Sequence, residues 1–304
     1  MINNFFEAFE FTKSNPAQKM VIVSAGDEDV LTAVAEAYRN EVIQPVLIDS
    51  LEKIKSCMPS NFPLAEVEVI DEADQLQQCR IAMDMIHQKK AQILMKGMIS
   101  TPVLLKEILN KEYGIRQSKV LSHVGVIQSE KYHKLILMTD GGMVTDYSLE
   151  NKIEILKNAM QVSKALGYYP AKAALISAIE TITPNIISTM DAAIITRMSE
   201  RKQLPGIIAD GPLALDNAVS KEACEHKGIK SAIAGDVDIM LMPNIESGNI
   251  FYKVLVYLGG GKTESAGIVV GARVPVVVPS RADTPENKFN SIVIANLMAH
   301  AGRI

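Results

Sequence analysis

Short aliphatic runs alternate with amphipathic segments along most of the chain, and this alternation constrains the fold more than any other feature. The run "MVIVSA" at residues 20–25 precedes "DEDVLTAVAEAYRN", in which Val30, Val34 and Ala37 recur at helical spacing behind acidic first-turn residues. Further strand candidates are "PVLID", "VEVID" and "QILMKG", with helical segments at 51–57, 74–88 and 102–109. Strands and helices that alternate in this way form parallel βαβ units. The amino-terminal part therefore predicts an α/β domain.

The alternation is interrupted once, near the middle of the chain. Two strand-like runs, "KVLSHVGVIQ" and "HKLILMTD", are joined by the polar segment "SEKYH", which predicts a β-hairpin. We place a domain change here, so the predicted domains are residues 1–127 with 272–304, and residues 128–271. The second domain resumes the series, with predicted strands at 171–177, 206–210 and 238–243 and helices at 149–166, 188–202, 213–226 and 249–257. A closing helix is predicted at about 284–301.

Composition excludes several classes of function. The 304 residues carry a formal net charge of −4 and contain no basic block, so nucleic acid is not expected as a partner. No apolar run approaches the ~18 residues needed to span a bilayer, and the chain does not start with a secretory pattern. The cysteines, Cys57, Cys79 and Cys224, are too scattered for a disulfide framework or a zinc site, and the histidines lack metal-ligand spacing. We therefore expect a cytoplasmic protein without a metal or a membrane partner.

The segment "GGGKT" at residues 259–263 has the ending of a nucleotide-binding P-loop. That motif requires a glycine five positions before the Gly–Lys pair and a strand leading into it. Here Val256 stands at the required position, and the preceding segment is predicted to be helical. A glycine that ends a helix is the simpler interpretation. No G-x-G-x-x-G follows the first strand either, so a dinucleotide site is not expected.

Polar and charged residues gather where the predicted strands end. In open α/β sheets, ligands bind outside the carboxyl ends of the strands, and helix N-termini at this edge favour anions. The basic residues among them predict an anionic ligand, although each cluster alone is also typical of a turn. The candidates are Lys96, Gly97, Ser100 and Thr101 after "QILM", Thr139 and Asp140 after "LILM", Asp210 after "GIIA", Asn244, Gly248 and Asn249 after "DIMLMP", and Ser280, Arg281 and Asp283 after "VPVVVP". Ser247 or Asn249 is predicted to cap the helix at 249–257.

At these same segments the chain resembles a known family. The segments "MKGMISTPVLLKEILN", "LSHVGVI", "LILMTDGG", "DGPLALD", "MPNIESGNIFYK" and "VPVVVPSRADTPENKFNSI" resemble the phosphate acetyl/butyryltransferases, most closely the phosphate butyryltransferase branch. The resemblance runs from about residue 20 to residue 301. It implies a two-domain, three-layer α/β fold of the isocitrate/isopropylmalate dehydrogenase type, an active-site cleft between the domains, and a homodimer.

The resemblance also implies a reaction, in which acyl-CoA and phosphate give acyl phosphate and coenzyme A, reversibly. Coenzyme A is then a substrate, and no cofactor is expected. No enzyme nucleophile is needed, so catalysis rests on positioning and charge stabilisation. Ser280 and Arg281 match a serine–arginine pair of the acetyltransferase relatives, which implies that Ser280 stabilises an oxyanion and that Arg281 binds phosphate. Ser122 and His123, in "LSHVGVI", are added as substrate-binding residues on the same basis.

One position departs from those relatives, which place an aspartate base seven residues after the serine. Asn287 stands there, so we expect Asp283, or else Glu286, to deprotonate the CoA thiol, although Asp283 could instead cap the last helix. The acyl group stays open between butyryl, another short or branched chain, and acetyl. Two alternatives from other classes are a metal-dependent dehydrogenase, for which Asp210 and Asp216 alone are too few ligands, and a silent acyl-CoA-binding protein.

Overall fold

The computed structural model describes residues 1–60, 62–259, 263–280 and 283–302. Contacts between Cα atoms divide the chain into two compact units. The first unit comprises Phe5–Ser118 and Ala266–Ile304, and the second unit comprises Met1–Asn4 and Lys119–Ser265. The domain limits predicted at 127/128 and 271/272 lie somewhat further along the chain than these divisions.

Helices and strands alternate along both units. The helices are α1 Phe5–Thr12, α2 Glu28–Arg39, α3 Leu51–Cys57, α4 Gln75–His87, α5 Thr101–Ile108, α6 Leu149–Ala165, α7 Ile187–Glu200, α8 Leu215–Val219, α9 Lys221–His226, α10 Ile245–Leu258 and α11 Pro285–Ala301. The strands are β1 Gln18–Val23, β2 Ile43–Asp49, β3 Glu68–Asp71, β4 Ile93–Lys96, β5 Ser122–Gln128, β6 Ile136–Thr139, β7 Ala171–Ile176, β8 Ile207–Leu213, β9 Ile239–Leu241, β10 Glu264–Val270 and β11 Val276–Val277. Within the described residues, no helix has both the length and the apolarity that a membrane span requires.

The first unit is built on parallel strands. They follow the order β3-β2-β1-β4-β11-β10, in which β3, β2, β1, β4 and β11 are parallel and β10 runs antiparallel to β11. Residues 20–23 of β1 are inaccessible to solvent, as expected of a parallel strand covered on both faces. Helix α11 contacts α1 and α2, while α4 contacts β1 and α5. Val23 pairs with Lys96 and Met95 pairs with Val277, so the carboxyl ends of β1, β4 and β11 lie together.

The second unit contains the predicted hairpin. Its strands follow the order β5-β6-β9-β7-β8, in which β5 and β6 are antiparallel and the others run parallel to β6. Because β5 pairs with β6 along its length, it lies in the second unit, whereas the limit predicted from the sequence placed it in the first. The first four residues join this unit as well, since the Ile2 N–H donates to the Leu166 carbonyl (3.0 Å).

A cluster of five ionisable side chains connects the amino ends of β6, β7 and β9; we call His133, Lys134, Lys172, Asp236 and Asp238 the amino-end ion cluster. Asp236 lies 3.1 Å from His133 and 2.7 Å from Lys134, and it also pairs with Lys172. Burial alone raises the pKa of Asp236, but hydrogen bonds from Lys134, Lys172 and His133 outweigh it and hold the pKa well below its ordinary value.

One helix was not predicted, and three predicted elements differ from the structure. Helix α1 was not predicted, although it packs on α11 with the Phe9 and Phe289 rings 5.6 Å apart. Strand β8 continues through Leu213, so "DGP" lies within the strand, and the helix predicted at 213–226 is two short helices, α8 and α9. Helix α10 begins earlier than predicted because the Asn244 side chain accepts the Ser247 N–H (2.9 Å) and caps it.

Candidate active site

A small cavity of about 200 Å³ lies in the first unit, beside the carboxyl end of β4 and the first turns of α2 and α11. It brings together the predicted residues Lys96, Gly97 and Ser280. The residues that complete the lining are Asp27, Asp29, Val30, Met98, Pro279 and Lys288. Two ammonium groups and two carboxylates therefore face one small space.

Lys96 is the last residue of β4, and its side chain is turned back into the protein. The residue is 7% exposed, and its Nζ donates to the carbonyls of Gly97 (3.0 Å) and Ile99 (3.1 Å). These two bonds fix the turn that leads into α5, where Ser100 is the N-cap residue and Thr101 opens the helix. The ammonium is thus held in place at the cavity wall before any ligand arrives.

Gly97 has a structural explanation that the sequence did not show. A Cβ at this position would lie 2.0 Å from the carbonyl oxygen of Ser24, at the end of the neighbouring strand β1. The Gly97 N–H also donates to the Val23 carbonyl (2.8 Å). The glycine therefore permits close approach of two backbone segments of the first unit, which is sufficient reason for its presence without any ligand.

The turn after β11 holds Ser280 and Asp283. The Ser280 N–H donates to Asp283 Oδ2 (2.7 Å), and the Asp283 N–H donates to the Ser280 carbonyl (3.1 Å). Thr284, not Asp283, caps α11, since its hydroxyl accepts the Asn287 N–H (3.2 Å). The possibility that Asp283 caps the last helix is therefore wrong. Arg281 lies outside the described residues.

Lys288 was not among the site residues predicted from the sequence. It is 3% exposed although it lies in the first turn of α11, and its Nζ reaches Asp29 Oδ2 (3.4 Å) and the Asp283 carbonyl. A lysine near a helix start is ordinarily a surface residue, so the charge of Lys288 alone did not indicate a buried site residue. The signal present in the sequence was its position, four residues before the uninterrupted apolar run 292–295 of a buried helix.

In the second unit, Asp140 joins the ends of β5 and β6. Its fully buried carboxylate accepts the N–H groups of His123 (2.9 Å), Gly142 (2.6 Å), Met143 (2.9 Å) and Val144 (3.3 Å). The Thr139 hydroxyl donates to the His123 carbonyl (2.8 Å), which strengthens the same junction. These contacts support a structural role for both side chains and leave the carboxylate poorly placed to accept a substrate proton.

Tyr147 makes further hydrogen bonds at this junction. Burial, followed by the nearby charge of Asp140, raises the pKa of Tyr147, so its hydroxyl stays protonated and donates to the Asp140 carbonyl. The loop after β6 is consequently fixed by polar contacts on both sides of residue 140. The sequence correctly predicts Asp140 at a strand end. That its carboxylate accepts four N–H groups could not be predicted without the loop conformation.

The start of α10 packs directly on this loop. A Cβ on Gly248 would lie 2.3 Å from the Asp140 carbonyl oxygen, and the Asn249 side chain donates to the Gly141 carbonyl (2.8 Å). The structure thus brings Thr139, Asp140, Gly248 and Asn249 together. The close approach at Gly248, however, is to the protein's own backbone.

Two other predicted residues make contacts within the second unit. The Ser122 hydroxyl is buried and accepts the Asn158 side-chain N–H (2.9 Å), a contact between β5 and α6. Asp210 lies on β8 at the edge of the second unit, with β9 and β7 between it and β6, and its carboxylate accepts the Gly211 N–H (2.8 Å). Asp216, weighed for a metal, forms an ion pair with Lys227 (3.0 Å).

Comparison with known proteins decides the family. The sequence profile described as phosphate acetyl/butaryl transferase matches residues 65–296. The chain belongs to this family. Phosphate butyryltransferase from Clostridium acetobutylicum is 40% identical over 300 residues, which cover 98% of this chain and 99% of that protein. Phosphate acetyltransferase from Thermotoga maritima is 36% identical over 295 residues, which cover 97% and 100% of the two chains.

Solved structures agree with the sequence comparison. A branched-chain phosphotransacylase from Enterococcus faecalis V583 superposes with a TM-score of 0.81 at 31% identity, covering 93% of this chain and 99% of that one. A putative 4-hydroxythreonine-4-phosphate dehydrogenase from Salmonella typhimurium has a TM-score of 0.61 at 14% identity, covering 93% and 100%, and shares the fold alone. The predicted family, the dehydrogenase-type α/β fold and the acyltransferase class are confirmed, so this family member is an acyltransferase that moves an acyl group reversibly between coenzyme A and phosphate.

Proposed function

We propose that this family member transfers a butyryl or similar short acyl chain between coenzyme A and phosphate. The observation that carries the proposal is the cavity where Lys96, Lys288 and Ser280 meet, because an anionic reactant requires preorganised cations and donors. The named relatives include butyryl, acetyl and branched-chain enzymes, which leaves acetyl as the second candidate. Met98 favours the longer chain, since it is 49% exposed at the cavity and can adapt to an aliphatic group.

The reaction requires the protein's own residues to bind phosphate, to stabilise an oxyanion and to supply a base. Phosphate must be bound where its oxygen can attack the thioester carbonyl, and charge on the carbonyl oxygen must be stabilised in the transition state. In the reverse direction the CoA thiol must lose its proton to a base. We assign phosphate binding to Arg281, oxyanion stabilisation to Ser280 and the base to Asp283. The first two assignments follow the resemblance, and the third is supported by the turn that holds Asp283 against Ser280.

The direct test is turnover of an acyl-CoA series with phosphate. Acetyl-, propionyl-, butyryl- and isobutyryl-CoA should be compared by release of the CoA thiol, and we expect the highest kcat/KM for butyryl- or isobutyryl-CoA. Highest activity with acetyl-CoA would favour the second candidate. Absence of thiol release with all four substrates, from protein that is folded by circular dichroism, would exclude the proposed transferase.

Arg281 provides a residue-level test. Arg281→Ala should raise the KM for phosphate about tenfold or more, a loss near 1.4 kcal/mol that is ordinary for a charge-assisted hydrogen bond. Arg281→Lys should recover only part of this, because an ammonium cannot reproduce the two parallel bonds of a guanidinium. An unchanged phosphate dependence in both variants would contradict the assignment.

We also propose a homodimer. Helix α10 carries apolar side chains on one exposed stripe, with Ile250 64%, Val254 43%, Tyr257 60% and Leu258 78% exposed. Their spacing of four, three and one residues places them on one helix face, which a second copy of the chain would cover. Light scattering should give a dimer mass, and Ile250→Glu with Tyr257→Glu should shift it toward the monomer. A monomeric wild type would exclude the dimer.

A reducing compartment fits the same function. Cys57, Cys79 and Cys224 are all free thiols, as is usual in the cytoplasm, where we propose that the enzyme acts.

A further inference from the structure

Two lysine side chains are buried at one small cavity in the first unit. Lys96 is 7% exposed and Lys288 is 3% exposed, and both line the same space of about 200 Å³. An ammonium group loses its hydration when it is buried, so each requires compensation from hydrogen bonds or an opposite charge. The compensation of Lys288 includes a long ion pair to an exposed carboxylate, and this ion pair indicates a function.

Lys96 Nζ donates to two backbone carbonyls, and Lys288 Nζ donates to one, that of Asp283, and also reaches a carboxylate. Among the described residues, the carboxylate oxygen nearest to Lys288 belongs to Asp29 and lies 3.4 Å away. Charge-assisted bonds of this type are normally about 2.7–2.9 Å long, and the buried pair of Lys152 and Asp191 in the second unit has 2.7 Å. The Asp29 side chain is also 54% exposed. It can therefore turn toward water at little cost when another anion approaches Lys288.

The position of Lys288 adds to the case for a second anion. A positive charge in the first turn of α11 is unfavourable beside the positive end of the helix dipole, and an anion there is favourable. The first turn of α2 faces the same cavity through Asp27 and Asp29. The Asp27 carboxylate is already occupied as the cap of α2, since it accepts the Val30 N–H (2.8 Å). Asp29 is therefore the carboxylate that can give way.

We propose that Lys288 and Lys96 bind the phosphoryl oxygens of the substrate, and that Asp29 is a counter-ion which incoming phosphate displaces from Lys288. The identity of the anion rests on the proposed function. The site adds two cations to the serine–arginine pair implied by the family resemblance. It also makes Asp29 a residue that limits phosphate affinity, because its carboxylate competes with phosphate for the same ammonium.

The test uses two substitutions with opposite expected effects. Lys288→Met should raise the KM for phosphate about tenfold or more, as expected for loss of a charge-assisted bond. Asp29→Asn should lower the KM for phosphate several-fold, because the competing charge is removed while the shape is kept. Lys172→Met is the matched control: it also removes one cation from a lysine–aspartate pair, at the amino end of β7 in the second unit, and should leave the KM unchanged.

A structural role for Lys288 must be separated from a binding role, because its Nζ also donates to the Asp283 carbonyl. Lys288→Arg keeps the charge and should retain most of the phosphate affinity. In the double variant with Lys288→Met, Asp29→Asn should no longer improve affinity, since the two effects act through one ion pair. A lower melting temperature for Lys288→Met with an unchanged KM, or weaker phosphate binding in Asp29→Asn, would overturn the proposal.

Phosphate protection against heat provides a readout that does not need turnover. Inorganic phosphate should raise the melting temperature with an apparent Kd that increases in Lys288→Met and decreases in Asp29→Asn, at ionic strength fixed with sodium chloride. If no acyl-CoA is turned over but this order is observed, the anion site stands and the proposed transferase activity fails. If turnover is normal and the wild type, Lys288→Met and Asp29→Asn all show the same Kd, the transferase stands and the anion site fails.

Discussion

Replacing Gly248 with alanine should destabilise the second unit, although alanine is ordinarily the better helix former. Gly248 is buried in the first turn of α10, and a Cβ there would lie 2.3 Å from the Asp140 carbonyl oxygen and 3.1 Å from the Gly141 Cα. A Cβ essentially never lies closer than 3.0 Å to another heavy atom, so either α10 or the loop after β6 must move by about 0.7 Å. Neither can move freely, because Asn249 and Asp140 fasten the helix and the loop to their surroundings.

The expected loss can be worked from two opposing effects. Overpacking typically costs about 1–3 kcal/mol, while removing a glycine from a helix returns about 0.5–1 kcal/mol. The net destabilisation is then about 1–2 kcal/mol, and a domain of this size loses about 2–4 °C per kcal/mol. Gly248→Ala should therefore melt about 2–8 °C below the wild type, and Gly248→Val lower still.

Calorimetric melting of Gly248→Ala beside Gly302→Ala gives the measurement and its control. Gly302 is the C-cap residue of α11, and a Cβ there would meet its nearest neighbour, the Met298 carbonyl, at an ordinary 3.5 Å. That variant should be neutral or slightly stabilised. If Gly248→Ala melts with the wild type but binds coenzyme A or phosphate more weakly, the glycine serves a ligand and the packing explanation is refuted.

Three further predictions concern other parts of the chain. Asp283→Asn should lower kcat about 10²-fold or more if Asp283 is the base, while Glu286→Gln should change little; loss in neither variant would place the base elsewhere. Asp236→Asn should destabilise the protein most above about pH 4. The lowered pKa of Asp236 in the amino-end ion cluster gives a stabilisation that is complete above the unfolded value of 3.8 and is lost as the pH falls from there toward the lower folded-state pKa. A difference between wild type and variant that grows toward acid would contradict this. Burial, with smaller effects of Glu107 and Asp74, raises the pKa of Cys79 to about 12. An aromatic disulfide at pH 8 should therefore label the half-exposed Cys57 first, and Cys57→Ser should abolish the fast phase of labelling. A fast phase that survives Cys57→Ser would show that a buried thiol is reactive.

The sequence predicted the elements whose residues repeat a single period. Strand β1 and helix α2 were predicted because their apolar residues follow the periods of a buried strand and an amphipathic helix. Helix α1 was missed because its eight residues are too few to establish a period, and its place depends on packing against Phe289. "DGP" is ordinarily a turn signal, yet β8 continues through it, because Asp210 pairs with Ala174 and Leu213 pairs with Ile176 of β7, with a register shift between the two pairs.

In the candidate site as well, residues that follow a local sequence pattern were predicted and residues that depend on long-range contacts were not. Lys96 and Ser280 could be predicted, since a polar residue after an apolar strand is a local pattern. Lys288 was not predicted: its position before the apolar run 292–295 indicated burial, but its contacts with α2 and with the turn that precedes α11 are long-range and appear only in the structure. Gly97 and Gly248 were detected as glycines at strand and helix ends, but only the structure shows that each faces backbone of its own unit.

The four N–H groups that donate to the Asp140 carboxylate should make this position intolerant of substitution in a mutational screen. An amide at this position would keep one acceptor oxygen and turn an NH₂ group toward backbone donors, so buried donors would lose their partner at a cost of about 1–3 kcal/mol each. In a saturation screen scored by growth, every substitution of Asp140 would then be depleted as severely as one in a catalytic residue. Only soluble yield, measured for the same variants, would reveal that selection at this position acts on the abundance of folded protein.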